Sequence, residues 1–206
     1  MDKLIILRNI MTKFISEHAF SNQDYFTKNN LPNFQPNLVI RKTVTHKYGI
    51  CMELNYTFNE ILKKNNFNSR LVKCHKINPK TGDFYNIYHL AIIVEIINEK
   101  YFIDVGYGEY FIEPVLLVDN NQTGNIKVKH ISETHDNYAM YDLSVDTEFI
   151  FRVVDLEIDS ILDIDENYCK FFTSKPCDFP LCRVLFERLF NPSTGTFDVV
   201  KSTCKL

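Results

Sequence analysis

The chain lacks an excess of positive charge. Its 206 residues include 23 Lys and Arg against 26 Asp and Glu, which gives a formal net charge of −3 at pH 7. A nucleic-acid-binding protein needs basic side chains to neutralise phosphates, so we expect no nucleic-acid partner. Hydrophobic residues make up 45% of the chain and charged residues 24%, which is typical of a globular protein.

Long hydrophobic runs are also missing. The longest purely apolar stretches are residues 4–7 and 90–94, whereas a membrane-spanning helix needs about 20 such residues. Arg8 and Asn9 interrupt the first stretch before the core of a signal peptide can form. The sequence therefore predicts a soluble, cytoplasmic protein without a membrane partner.

The six cysteines do not follow a metal-binding pattern. They occupy positions 51, 74, 169, 177, 182 and 204, and no two of them are separated by two residues. Many zinc sites use such closely spaced cysteines, so we expect no metal. A chain of this size can bury a full core without disulfides, and most of the thiols are expected to be reduced and buried.

Hydrophobic spacing predicts two helices followed by many strands. Helices are predicted at residues 3–20 and 51–65, and residues 21–46 are expected to be irregular because they contain Pro32 and Pro36. Further along, strands are predicted at about residues 69–76, 87–97, 100–105, 125–131, 137–144, 148–155, 181–189 and 195–201, with one helix near 160–172. This order favours an α+β fold with a mostly antiparallel sheet or small barrel.

The predicted order divides the chain into two intimately packed parts. Residues 1–66 form a helical part, and residues 67–206 form a sheet part that contains one helix. In the second helix, Cys51 belongs to the apolar face, while Glu53 and Asn59 are predicted to face elsewhere.

Cys51 has the local setting of a catalytic thiol. It lies within residues 47–55, KYGICMELN, where a glycine-containing turn is predicted to lead into the second helix. In the first turn of a helix, unpaired N–H groups and the positive end of the helix dipole favour a thiolate and suit an oxyanion. A thiol nucleophile also needs a base, and the base needs a group that orients it.

His89 and Asp104 are the candidates for that base and its orienting group. His89 lies in the apolar, strand-like run of residues 87–94, and Asp104 lies in the next predicted strand, which ends in a glycine-rich turn. A tight turn at Asn98 and Glu99 would pair the two strands and bring both residues to the same end. Asp104 would then accept a hydrogen bond from one ring nitrogen and leave the other facing the thiol.

Each of the three residues also has a simpler interpretation. Cys51 alone is more often a core thiol, His89 a half-buried histidine and Asp104 a turn cap. Their combination, with the neighbouring glycines, points to catalysis. Four other histidines are interpreted as surface or turn residues: His18, His46, His130 and His135.

Four stretches resemble segments of the arylamine N-acetyltransferase family. Residues 47–55 are similar to its Arg-Gly-Gly-x-Cys-x-Glu-x-Asn motif, residues 89–94 to its His and aliphatic strand, and residues 104–108 to its Asp-Val-Gly-Phe-Gly turn. Residues 167–179 are similar to its later Ser/Thr-x-x-Pro segment. Lys47 stands where the family has Arg, which keeps the charge but loses the bidentate fork that could hold a carboxylate.

The resemblance implies a papain-like cysteine-proteinase-type fold. A helical N-terminal part would carry the Cys and pack on an antiparallel β-barrel or sheet that carries the His and Asp. The chain is shorter than is usual for the family, which implies a missing or truncated C-terminal lid domain.

The resemblance also implies an acyltransferase. The enzyme would move an acetyl group from acetyl-CoA to a small-molecule amine, an arylamine or hydrazine, by a ping-pong mechanism. Cys51 would be the nucleophile, His89 the proton relay and Asp104 the orienting group. The acyl and CoA site would lie beside a turn whose backbone N–H groups could hold the ligand: Gly106, Tyr107 and Gly108.

Two other functions are compatible with these residues. The same triad would serve a transglutaminase-like or protease-like amide hydrolase, in which water or a protein amine resolves the acyl-enzyme. The altered motif at residues 47–49 also fits a protein that has lost catalysis and only binds a ligand or partner.

Overall fold

The computed structural model describes residues 2–26, 33–78, 81–107, 111–131, 137–143, 148–158, 160–173 and 184–204. These residues form five helices and twelve strands. The helices are α1 (Lys3–Glu17), α2 (Gln23–Phe26), α3 (Pro36–His46), α4 (Cys51–Lys64) and α5 (Ile161–Thr173). The strands are β1 (Ala19–Ser21), β2 (Tyr48–Gly49), β3 (Asn68–His75), β4 (His89–Ile96), β5 (Glu99–Ile103), β6 (Val115–Leu116), β7 (Gln122–Thr123), β8 (Ile126–His130), β9 (Asn137–Asp142), β10 (Glu148–Val154), β11 (Val184–Asn191) and β12 (Thr196–Cys204).

The larger sheet has eight strands in the order β6-β5-β4-β3-β10-β9-β8-β7. Its strand pairs are antiparallel. The two edge strands, β6 and β7, follow each other in the chain. The sheet therefore curls towards closure, and the predicted α+β fold with an antiparallel sheet or barrel is confirmed.

Strand β4 is buried on both faces. Leu90, Ile92 and Val94 pack with the helical layer, whereas Ala91 and Ile93 belong to the apolar cluster on the other side of the sheet. A strand with two buried faces reads as a continuous apolar run rather than an alternating one. This explains the apolar stretch at residues 90–94.

The smaller sheet, β12-β11-β1-β2, supports the segment that precedes α4. Strand β1 pairs in parallel with β2, with Ala19 opposite Tyr48, and antiparallel with β11, with Phe20 opposite Arg188. Because β2 ends at Gly49, this sheet fixes the chain just before Cys51.

The prediction that residues 21–46 are irregular is wrong, because this segment contains α2 and α3. Pro36 does not break a helix; it begins α3, where the missing N–H of proline leaves no helical hydrogen bond unmade. The first helix is shorter than predicted. It ends at Glu17, since the backbone of His18 is already extended and leads into β1.

The turn between β4 and β5 lies one residue earlier than predicted. Ile97 and Asn98 form it, with φ angles of 50° and 65°, and Glu99 is already paired with Ile96. Two consecutive positive φ angles are the signature of a type I′ hairpin turn.

Three polar residues predicted to face away from the core are buried. Glu53 and Asn59 are 1% and 0% exposed although they were assigned to the outer face of α4. His18 is 6% exposed rather than on the surface, because its ring stacks on Phe14 at 4.0 Å and its Nδ1 lies 2.9 Å from the Phe14 carbonyl oxygen. The burial of Glu53 and Asn59 shows that part of the predicted polar face of α4 is also packed against other segments of the protein.

Some predictions concern residues outside the described ranges. These are Gly108, His135, Cys177 and Cys182. The boundary between residues 1–66 and 67–206 stays a prediction. None of the described helices is long and apolar enough to cross a membrane. Within the same ranges, the structure contains no group of three or more His, Cys, Asp or Glu side chains suited to a metal ion.

Candidate active site

Cys51 is the first residue of α4. The helix begins here because Ile50 has an extended backbone, with φ −80° and ψ 168°, and its N–H donates to Glu53 Oε2 at 3.0 Å. The side chain of Glu53 thus caps the turn from which the thiol projects. Cys51 is partly exposed and reduced, as a nucleophile must be.

The pairing of β4 with β5 brings His89 and Asp104 together. Ile92 lies opposite Ile103 in this hairpin, so the start of β4 meets the residue that follows β5. His89 Nε2 lies 2.6 Å from Asp104 Oδ2. The Cys51 side chain also raises the pKa of His89, so the thiol lies beside the imidazole. The three candidate residues therefore form a chain from thiol to imidazole to carboxylate.

Asp104 is held from several directions. Its Oδ1 accepts hydrogen bonds from Asn55 Nδ2 at 2.8 Å, from the Gly106 N–H at 2.9 Å and from the Tyr107 N–H at 3.0 Å. The carboxylate is fully buried, and these donors fix its orientation towards His89. They also engage the N–H groups of Gly106 and Tyr107, which were predicted to hold a ligand.

Asn55 is a site residue to which the sequence analysis assigned no role. Besides Asp104, its Nδ2 donates to the Leu90 carbonyl at 2.7 Å, and its Oδ1 accepts from the Val105 N–H at 2.9 Å. One amide thus joins α4, β4 and the turn after β5. Its position four residues after Cys51, on the same helix face, is the signal that could have identified it.

The imidazole and the carboxylate form an ion pair at neutral pH. Burial by itself lowers the pKa of His89, but the charge and hydrogen bond of Asp104, with help from Cys51, raise it from the ordinary 6.5 to about 10. Burial by itself raises the pKa of Asp104, yet His89, Asn55 and the Gly106 N–H bring it below the ordinary 3.8. His89 is therefore protonated and can stabilise a thiolate.

Aromatic rings fix the plane of the imidazole. Phe151 stacks on His89 with ring centroids 5.0 Å apart and planes 9° apart. Tyr107 lies edge-on to His89 at 5.6 Å and 80°. Phe151 is buried and Tyr107 is partly buried, with Lys76 Nζ 4.7 Å from the centroid of its ring.

Asn167, on α5, was also missed by the sequence analysis as a site residue. Its Oδ1 accepts from the Tyr88 N–H at 3.0 Å, and its Nδ2 donates to the Tyr88 carbonyl at 2.9 Å. This pair of bonds holds the residue just before His89. The resemblance had pointed to residues 167–179 only as a family segment.

Comparison with known proteins agrees with this geometry. The N-acetyltransferase family model matches residues 3–171, which include the three residues of the candidate triad. The chain belongs to the arylamine N-acetyltransferase family. It is 50% identical, over 198 residues, to an uncharacterized acetyltransferase of Acanthamoeba polyphaga mimivirus, with 96% of this chain and 93% of that protein covered.

Solved structures of arylamine N-acetyltransferases share the fold. The Bacillus cereus enzyme, described as having a unique Cys-His-Glu catalytic triad, has a TM-score of 0.74 at 20% identity, with 98% of this chain and 86% of that chain covered. The Mycobacterium marinum enzyme in complex with CoA has a TM-score of 0.76 at 16% identity, with 92% and 72% covered.

These findings confirm the predicted family, the papain-like fold and the prediction of an acetyltransferase enzyme. The catalytic roles of Cys51, His89 and Asp104, and the ligand-binding role of the turn that begins at Gly106, stay predictions.

Proposed function

We propose that this protein transfers an acetyl group from acetyl-CoA to an arylamine or hydrazine, with Cys51 as the covalent nucleophile. The observation that carries the proposal is the arrangement in which Asp104 Oδ2 lies 2.6 Å from His89 Nε2 and the Cys51 side chain lies beside the same ring. This arrangement meets the requirements for thiol nucleophilic catalysis: a nucleophile, a base and an orienting group.

In the first half-reaction, Cys51 takes the acetyl group. Cys51 reacts as the thiolate beside protonated His89, and its sulfur attacks the carbonyl carbon of the thioester. A bond forms between this carbon and Cys51 Sγ, and the bond from the carbon to the CoA sulfur breaks. His89 gives its proton to the departing CoA sulfur, so that free CoA leaves as a thiol.

In the second half-reaction, Cys51 gives the acetyl group up. The acceptor nitrogen attacks the acetyl carbon, and the bond from that carbon to Cys51 Sγ breaks. His89, now neutral, takes the proton that the nitrogen loses. The result is an N-acetylated acceptor together with the starting thiolate and imidazolium.

Several observations support acetyl-CoA as donor and an aromatic acceptor. A fold neighbour, the Mycobacterium marinum arylamine N-acetyltransferase, is known in complex with CoA. Gly106 packs directly against the Cα and carbonyl oxygen of Cys51, so the turn after Asp104 lies next to the residue that would carry the acyl group. The ring of Tyr107 lies edge-on to His89, with Lys76 Nζ 4.7 Å from its centroid, and gives the site an aromatic wall beside the imidazole.

The test measures release of free CoA thiol from acetyl-CoA with an arylamine or hydrazine acceptor. We expect turnover that needs the acceptor, and one acetyl group on Cys51 by peptide mass spectrometry when the acceptor is omitted. Cys51→Ala should abolish both results. Cys169→Ala, at a second partly exposed thiol, is the matched control and should keep both.

Release that continues in Cys51→Ala would exclude this mechanism. Steady formation of acetate without any amine would instead identify an amide or thioester hydrolase that uses the same triad.

A further inference from the structure

Lys47 does not neutralise Glu53, although the family motif places its basic residue at this position. Lys47 ends α3 in a left-handed conformation, with φ 61°. Its Nζ lies 3.3 Å from Glu17 Oε2, and the two side chains are 48% and 41% exposed. Glu53, in contrast, is 1% exposed. A buried carboxylate needs a partner, and the basic residue of the motif does not supply it.

Lys42 supplies that charge from the middle of α3. Its Nζ lies 2.8 Å from both Glu53 Oε1 and Oε2, and 3.2 Å from Asp24 Oδ2. The hydroxyl groups of Tyr25 and Tyr168 also bond Glu53 Oε1. Both oxygens of the carboxylate are thus satisfied, and the Glu53 side chain has a single defined position.

That position determines the start of α4. Glu53 Oε2, which Lys42 contacts, also accepts the N–H of Ile50, the residue immediately before Cys51. The carboxylate also lies close beneath the turn, because a methyl group at Gly49 would come within 3.1 Å of Glu53 Oε2. A displacement of Glu53 would therefore move the turn and the thiol with it.

We propose that Lys42 is the positioning residue for the nucleophile and supplies to Glu53 the positive charge that Lys47 does not. It acts through Glu53 and the Ile50 N–H, and it holds Cys51 within reach of His89. The inference rests on the proposed role of Cys51 as the nucleophile, but it can be tested without acetyl transfer.

The test is the rate at which iodoacetamide alkylates Cys51 at neutral pH, followed on the Cys51 peptide by mass spectrometry. The fully buried Cys74 serves as an internal reference that stays unmodified. Lys42→Met should lower the rate by about tenfold. Lys42→Arg, which keeps a donor for both carboxylate oxygens, should retain most of it.

Lys47→Met is the matched control, five residues along the same segment. It removes a lysine that contacts the exposed Glu17, and we expect the alkylation rate to stay unchanged. A loss in Lys47→Met equal to that in Lys42→Met would overturn the proposal, as would an unchanged rate in Lys42→Met.

Lys42→Met leaves Glu53 without its cation and can prevent folding. The double variant Lys42→Met/Glu53→Gln removes both charges together and avoids this problem. If the proposal holds, iodoacetamide should alkylate Cys51 about fivefold more slowly in the folded double variant than in the parent protein, because no ion pair holds the turn before Cys51. A rate equal to that of the parent would refute the role of Lys42.

A second readout separates positioning from binding. In the transferase assay, Lys42→Met should lower kcat and leave KM for acetyl-CoA unchanged, because the variant moves the thiol and not the donor site. If the parent protein does not turn over acetyl-CoA but the alkylation rates follow the expected order, the proposed function fails and the role of Lys42 stands.

Discussion

Gly106 lies against the backbone of Cys51. A methyl group at Gly106 would come within 2.6 Å of the Cys51 Cα and 2.8 Å of its carbonyl oxygen, distances that real carbon contacts do not reach. The turn that follows Asp104 is thus in direct contact with the first turn of α4. The carboxylate and the thiol of the candidate triad therefore keep their relative positions without an intervening side chain.

Gly106→Ala should impair catalysis more than it impairs folding. The added methyl must push the turn away from Cys51, with a cost of about 1–3 kcal/mol and a misplaced triad. We expect a loss of about 100-fold in kcat of acetyl transfer.

Gly82→Ala is the control for Gly106→Ala. Gly82 has a φ of +77° and no neighbour within 4 Å of a built Cβ. The substitution should lower the free energy of unfolding by about 1 kcal/mol through backbone strain and leave kcat unchanged. Equal losses of kcat in the two variants would show that the contact with Cys51 is not responsible.

Asp104→Asn should leave His89 neutral at physiological pH. Without the carboxylate charge, burial dominates and the pKa of the imidazole falls from its raised value. In ¹⁵N-histidine NMR at about pH 8, the His89 signal of the parent protein should be that of a protonated ring. In Asp104→Asn it should be that of a neutral ring.

His18 and His75 provide internal references for this titration. Burial lowers the pKa of both, so they should be neutral in the parent and in the variant. A neutral His89 in the parent protein at the same pH would contradict the ion pair. Acetyl transfer by Asp104→Asn should fall by about 100-fold or more.

The His89–Asp104 pair should also make stability depend on pH. Because folding raises the pKa of His89, its contribution is fully present below the ordinary pKa of 6.5 and is lost as pH rises through about 10. Folding lowers the pKa of Asp104. The stability that the pair contributes is therefore also lost in acid, as the pH falls through the lowered pKa of this carboxyl group.

Urea unfolding at neutral pH and above about pH 10 tests this expectation. The parent protein should lose more stability between the two conditions than Asp104→Asn does. Parallel pH profiles for the two proteins would show that the pair does not contribute.

Asn55→Ala should destabilise the protein and disorder the triad. It removes the partner of three buried groups: the Leu90 carbonyl, the Val105 N–H and Asp104 Oδ1. We expect the free energy of unfolding to fall by about 3 kcal/mol and kcat to fall as well. Asn65→Ala, at the exposed end of the same helix, removes a bond to the Ile61 carbonyl and should change neither quantity appreciably.

Asn167→Ala should act on His89 from a distance. The variant leaves the backbone N–H and carbonyl of Tyr88 without their buried partner, so the start of β4 loosens. kcat should fall by about tenfold while KM for the acceptor stays the same. Steady-state kinetics would contradict this role if Asn167→Ala changed KM alone.

The geometry of His89 and Asp104 could be predicted because it depends on a local hairpin. Strand alternation and a two-residue turn determine which residues meet. The error in turn position has a physical reason: Ile97 is β-branched and such residues rarely adopt a positive φ, so Asn98 and Glu99 looked the better pair. The shift by one residue still leaves both side chains at the same end of the strands.

The role of Lys42 could not be read from the sequence. It depends on α3, which was not predicted because Pro32 and Pro36 suggested an irregular segment. It also depends on how α3 packs on α4. Asn55, Asn167 and the burial of Glu53 likewise follow from contacts between distant segments, which periodicity along one element does not report. The motif alone suggested Lys47 as the partner of Glu53. Lys47 instead has a left-handed backbone conformation, and its side chain contacts Glu17.

The two pairing partners of strand β1 affect how the protein folds during its synthesis. It pairs on one side with β2, just before Cys51, and on the other with residues 187 and 188 of β11. Joining segments so far apart in sequence slows folding, because long loops must close first. During synthesis, β1 can therefore pair with β11 only after residues 187 and 188 have left the ribosome.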